Sequence, residues 1–66
     1  MERNIRLDWS SLVAEAIRRR KEQGLTQKQL AVFVGLSSPT VNAFEQGKQT
    51  ITLESAVKIL ASLGLA

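Results

Sequence analysis

Leu25-Thr26-Gln27-Lys28-Gln29-Leu30-Ala31-Val32-Phe33-Val34-Gly35-Leu36-Ser37-Ser38-Pro39-Thr40-Val41-Asn42-Ala43-Phe44-Glu45-Gln46-Gly47 is two short amphipathic segments divided by a glycine. Thr26 is placed to cap the first, and Gln29 three residues on completes a capping-box pattern. Leu30, Ala31 and Val34 then share one face, which predicts a helix over 26–34. Ser37 is placed to cap the second segment. Pro39 is tolerated there because the first helical turn has N–H groups that need no intrahelical partner. Val41 and Phe44, three apart, face inward, whereas Ser38, Asn42 and Ala43 face outward, which predicts a helix over 37–46. The tight turn Gly35-Leu36-Ser37 sets the two helices at a steep angle and leaves one side of the second exposed.

The flanks read in the same way. A first helix is expected over 10–23, capped by Ser10 or Asp8, with Leu12, Val13, Ala16 and Ile17 on one face. Arg20 falls on that face. Glu15 is in register with Arg18 and Arg19, and Arg18 with Glu22. A last helix is expected over 53–63, capped by Thr52 or Thr50, with Ala56, Val57, Ile59, Leu60 and Leu63 making it strongly apolar. Gly24, Gly35 and Gly47 each follow a helical stretch, as helix stops do. No segment alternates at period two, so the class is all-α. Residues 1–9 are expected as an N-terminal arm and 10–66 as one domain.

The 66-residue chain has neither cysteine nor histidine. A chain of this length buries only about 60% of the surface its unfolded form exposes, so every core position matters. No disulfide or thiolate metal site can form, and the six acidic residues are scattered, so no metal and no cofactor are expected. The usual general base and the best nucleophile are both missing, no close carboxylate pair or glycine-rich phosphate loop occurs, and an enzyme is not expected. Apolar runs are too short to span a bilayer and residues 1–8 carry no export pattern, so a cytoplasmic location is expected. The net charge of +3 suits an anionic partner, of which nucleic acid is the common one.

The residues Leu25 through Ala31, Val34-Gly35-Leu36-Ser37, Thr40-Val41 and Phe44-Glu45-Gln46-Gly47 together resemble the phage repressor and Cro-like (XRE-type) helix-turn-helix family. The resemblance runs from about Leu12 through Leu65. It implies a compact four- to five-helix bundle, like that of lambda repressor, which binds double-stranded DNA, usually as a homodimer on a palindromic operator, and commonly as a repressor. In such a unit the first helix of the motif crosses the phosphate backbone and the second enters the major groove. Ser38, Pro39 and Ala43 then occupy base-facing positions, with Thr40 and Asn42 on or near the same face. Asn42 can offer both donor and acceptor to an adenine edge, and Pro39 and Ala43 only apolar contact, as to thymine methyl groups. Here the chain departs from members with Gln or Arg at these positions. Gln27 opens its helix where free N–H groups and the dipole meet a phosphate. Lys28, Gln46, Lys48 and Thr50 complete the phosphate-facing set, and Arg3 and Arg6 lie in the expected arm.

The family commonly pairs an Arg at position 20 with a Glu at position 45, and a paired, partly buried Arg20 suits its place on an apolar face. The rest of the run Arg18-Arg19-Arg20-Lys21 reads most simply as a solvated face. Val32 and Phe33 are apolar where the family is usually polar. They form an exposed patch, to which Trp9 adds, or else both aromatics, Phe33 and Trp9, fold back onto the core. Residues 52–63 also resemble HipB-type antitoxins, which implies an alternative in which a toxin protein is a second partner. A protein-interaction module without DNA binding is a third reading. Leu63, Leu65 and parts of the last helix are the candidates for a dimer surface.

Overall fold

The computed structural model describes residues 8–66. Within them lie four helices: α1 (Trp9–Glu22), α2 (Gln27–Val34), α3 (Ser38–Glu45) and α4 (Leu53–Ser62). No strand occurs among the described residues, so the fold is all-α with four helices, at the lower end of the expected four to five. The expected arm falls largely outside the described residues, Arg3 and Arg6 included. Its last residue, Trp9, is the first residue of α1. The indole stands edge-on to the Phe44 ring, with centroids 5.7 Å apart and planes at 84°, a favoured geometry for an aromatic pair.

Each helix starts on a short polar side chain. Asp8, Thr26, Ser37 and Thr52 accept hydrogen bonds from the backbone N–H three residues on. At α2 the box is complete, because Gln29 Oε1 also accepts from Thr26 N at 2.9 Å. These oxygens satisfy N–H groups that the helix itself leaves unpaired.

The helices also end alike. At the end of α2, Gly35 N donates to Val32 O at 3.3 Å and Leu36 N to Ala31 O at 2.9 Å, the two bonds of a Schellman motif. Gly35 takes φ +75° there, which a side chain at Cβ disfavours. The same bond pair closes α1 at Gly24 and Leu25, α3 at Gly47 and Lys48, and α4 at Gly64 and Leu65. In three of these ends the residue after the glycine is a leucine packed against the core (Leu25, Leu36, Leu65). At the end of α3 it is Lys48, and it is exposed.

The core is one cluster of Val13, Ala16, Leu30, Ala31, Val41, Phe44, Ile59, Leu60 and Leu63. Phe44 and Val41 are fully buried, and α3 packs against each of the other three helices. It is therefore held from behind along one face. Leu63 is core, and Leu65 is half-buried against it. Arg19 joins the fold in a way its place in a basic run does not suggest. Its Nη1 donates to Leu63 O at 3.0 Å and Gly64 O at 3.3 Å, and its Nε to Glu15 at 2.9 Å. A cation at the C-terminus of α4 is favoured by the helix dipole as well as by the free carbonyls.

Candidate nucleic-acid interface

Glu45, the last residue of α3, organises the site from behind. Its Oε2 accepts from Arg20 Nε at 2.6 Å, and its Oε1 from Arg20 Nη2 at 3.1 Å and from Gln27 Nε2 at 2.9 Å. Arg20 Nη1 reaches Leu25 O at 2.6 Å. The Arg20 and Glu45 side chains are only 10% and 7% exposed. Two parallel N–H···O bonds between guanidinium and carboxylate add direction as well as energy. One cluster thus ties α1, the α1–α2 turn, the start of α2 and the end of α3 together.

Opposite the buried Val41 and Phe44, α3 shows Pro39 and Asn42 exposed, with Ser38, Thr40 and Ala43 half-buried. Thr40 is engaged locally: its Oγ1 lies 2.8 Å from Ser37 Oγ, so its hydroxyl is shared with the cap. Pro39, Thr40 and Ala43 also line a shallow cleft whose far wall is Thr50, Ile51 and Thr52, from the α3–α4 loop. The outer surface of α3 is therefore low, uncharged and rich in methyl and methylene groups, with Asn42 its exposed amide.

Charge lies around this face rather than on it. Arg18 and Arg19 are held by Glu15 and Glu22, Arg20 by Glu45, and Lys58 by Glu54. Among the described residues, the cations outside these ion pairs are Lys21, Lys28 and Lys48. Lys28 lies at the start of α2 and Lys48 just past α3, and both are exposed. Gln46 and Thr50 are exposed beside Lys48, whereas Gln27 is half-buried, its amide turned to Glu45. Glu15 is held down to about 2 by its hydrogen bonds to Arg18 and then Arg19. Those arginines are thus committed to α1 and its neighbours. The described residues contain no group of acidic side chains arranged to hold a metal, and no helix among them is long and apolar enough to cross a membrane.

A family model described as helix-turn-helix matches residues 17–66, which takes in α2, the turn, α3 and α4. The chain belongs to this helix-turn-helix family. Its type is that of the phage repressors and Cro. A Haemophilus influenzae protein named as an HTH-type transcriptional regulator is 36% identical over 63 residues, covering 96% of this chain and 61% of the relative. A Methanothermobacter thermautotrophicus protein of the same description is 44% identical over 45 residues, covering 68% of this chain and 65% of the relative. The chain thus spans somewhat over three-fifths of the length of these relatives.

Within this helix-turn-helix unit two features lie beyond what spacing reveals. Arg19 serves the end of α4, yet in sequence it is one of four consecutive cations. The Thr50–Thr52 wall beside α3 comes from a loop whose path only the packing of α4 sets. The two aromatics also part company: Trp9 folds onto the core, whereas Phe33 is 71% and Val32 77% exposed.

Proposed function

We propose that the chain is a sequence-specific DNA-binding transcription regulator that places α3 in the major groove. The observation that carries this reading is the placement of α3. It is locked from behind by Val41, Phe44 and the Arg20–Glu45–Gln27 cluster, and it presents an uncharged outer face, with exposed Lys28 at the start of α2 and exposed Lys48 just past α3. An α-helix fits the major groove, and base edges there form a distinct pattern for each pair. A rigid, uncluttered helix can approach them closely, while cations on its flanks meet the phosphates. Asn42 is the side chain suited to an adenine edge. Pro39 and Ala43 offer apolar contact to thymine methyl groups. Gln46, Lys48 and Thr50 follow α3 toward one phosphate strand, and Lys28 and the α2 N-terminus toward another.

The proposed assembly is a homodimer on a palindromic operator, acting as a repressor. Selection from a random duplex library tests this directly. The expected result is enrichment of a two-fold symmetric site with half-sites about one helical turn apart. Recovery of bulk duplex alone, with salt-sensitive and sequence-blind binding, would remove the operator reading. A second reading, with a protein partner such as a toxin beside the DNA, draws on exposed Val32 and Phe33. Under it, Phe33→Ser abolishes partner binding and leaves DNA selection intact.

A further inference from the structure

Pro39 and Ala43, four residues apart on α3, share the side turned to the α3–α4 loop. With Thr40 they form one wall of a cleft of about 340 Å³, and Thr50, Ile51, Thr52 and Ser55 form the other. Asn42 does not line it. The polar groups of this cleft are mostly committed. Thr40 Oγ1 lies 2.8 Å from Ser37 Oγ. Thr52 Oγ1 donates to Ser55 Oγ at 3.0 Å and accepts from Ser55 N at 3.1 Å. Three of the four hydroxyls are thus engaged in the caps of α3 and α4, and the fourth, on Thr50, is exposed beside Lys48. Pro39 has no N–H to offer, and Thr40 N is spent on Ser37. No lysine, arginine or glutamine lies on α3. What the Pro39–Ala43 side presents is carbon: a proline ring, an alanine methyl and, across the cleft, the Ile51 side chain.

In the major groove thymine differs from cytosine in two ways. Its exocyclic group accepts where that of cytosine donates, and its C5 carries a methyl group. A surface of carbon responds only to the second difference. 5-Methylcytosine carries the same methyl group at the same ring position. We propose that the Pro39–Ala43 side of α3 reads the pyrimidine 5-methyl group alone, so that 5-methylcytosine replaces thymine there and unmodified cytosine does not. Cytosine methylation then converts a poor site into a good one. This rests on α3 lying in the major groove, as proposed above, and adds to it a sensitivity to the modification state of the DNA.

Selection from two random duplex libraries tests it, one made with cytosine and one with 5-methylcytosine in its place. Both should yield one site. The positions whose preference is lost in Pro39→Ala or Ala43→Ser should be thymine in the first library, and either thymine or 5-methylcytosine in the second. In defined duplexes, removing the methyl group should weaken binding about fourfold at each such position. The factor should be the same for uracil against thymine, both opposite adenine, and for cytosine against 5-methylcytosine, both opposite guanine. Each comparison keeps the purine fixed, so only the methyl group changes. Asn42→Ala should leave both factors as they are, and circular dichroism checks that each variant keeps its helices. Thymine alone at these positions in both libraries, or a methyl factor opposite adenine and none opposite guanine, would overturn the assignment and leave the operator reading standing. So would a selected site with no methyl factor in either pair. Enrichment of no site from either library would remove the operator reading, and this assignment with it.

Discussion

Glu45 receives three hydrogen bonds from two side chains in a nearly closed environment. Removing its carboxylate leaves the Arg20 guanidinium facing that environment with Leu25 O as its remaining partner. Breaking a buried pair from one side costs about 3–5 kcal/mol. A 66-residue chain has only about 3–10 kcal/mol of stability at about 0.05–0.15 kcal/mol per residue. Glu45→Ala is therefore expected to lose most of its stability, read as a urea midpoint near zero by circular dichroism. A midpoint like that of the parent would show that the cluster contributes little. At the positions proposed to face DNA the expected effects differ in kind. Asn42→Ala should relax preference at one base pair by about 1–3 kcal/mol and leave the others alone. Lys48→Ala should weaken binding to all sequences and flatten the slope of log K against log salt by about 0.9. If Asn42→Ala weakens every sequence equally, it reads no base. If the slope is unchanged, Lys48 meets no phosphate.

At the scale of the element, α3 has a consistent design. Ser37 caps it, Pro39 stands in the first turn, and the Gly47–Lys48 motif closes it. The same closing motif docks a leucine on the core at the other three helix ends, whereas here it leaves a lysine in solvent. The outer face lacks the long amide and guanidinium groups that read bases by paired hydrogen bonds. If α3 reads DNA as proposed, shape and methyl contact supply more of the discrimination. Replacing thymine with uracil within the selected site removes only the 5-methyl group and keeps the pairing. Such substitution at positions opposite Pro39 and Ala43 should weaken binding severalfold, measured by fluorescence anisotropy, whereas substitution outside the half-sites should not. Equal affinity for the uracil and thymine sites would show that these residues do not read methyl groups.

Across the whole molecule, arginines of α1 tie it to the far ends of other helices, Arg20 to Glu45 at the end of α3 and Arg19 to the end of α4. Arg19 bridges Glu15 to the carbonyl end of α4, and Glu15 also holds Arg18. The Glu15 carboxyl is depressed from the usual 4.5 to about 2, first by Arg18 and then by Arg19. A carboxyl with a lowered folded value contributes stability that is complete above its unfolded value and vanishes as pH falls through the folded one. The thermal midpoint should therefore drop as pH goes from above 4.5 toward 2, and Glu15→Gln should make that drop shallower. The side chain is 35% exposed and open to solvent screening, so the effect is small and salt weakens it. A parent and a Glu15→Gln variant with superimposable pH profiles would show that the pair does not couple to folding.

The helical class, the order and approximate limits of the four helices and the inward faces of α2 and α3 were legible in the amino-acid sequence. These rest on local physics: a cap three residues from its N–H, a glycine at a left-handed stop, apolar residues recurring once per turn. The shifts at the ends are of one residue, as where α1 begins at Trp9 rather than Ser10. What was not legible there depends on partners distant in the chain. Trp9 found Phe44, Arg19 found the end of α4, and Leu63 went to the core. Leu53 and Val57 stayed outside, although periodicity alone makes Val57 as apolar and as eligible for burial as Ile59. A short domain has room inside for one face of each helix, and only the packing of all four settles which apolar side chains that leaves in water.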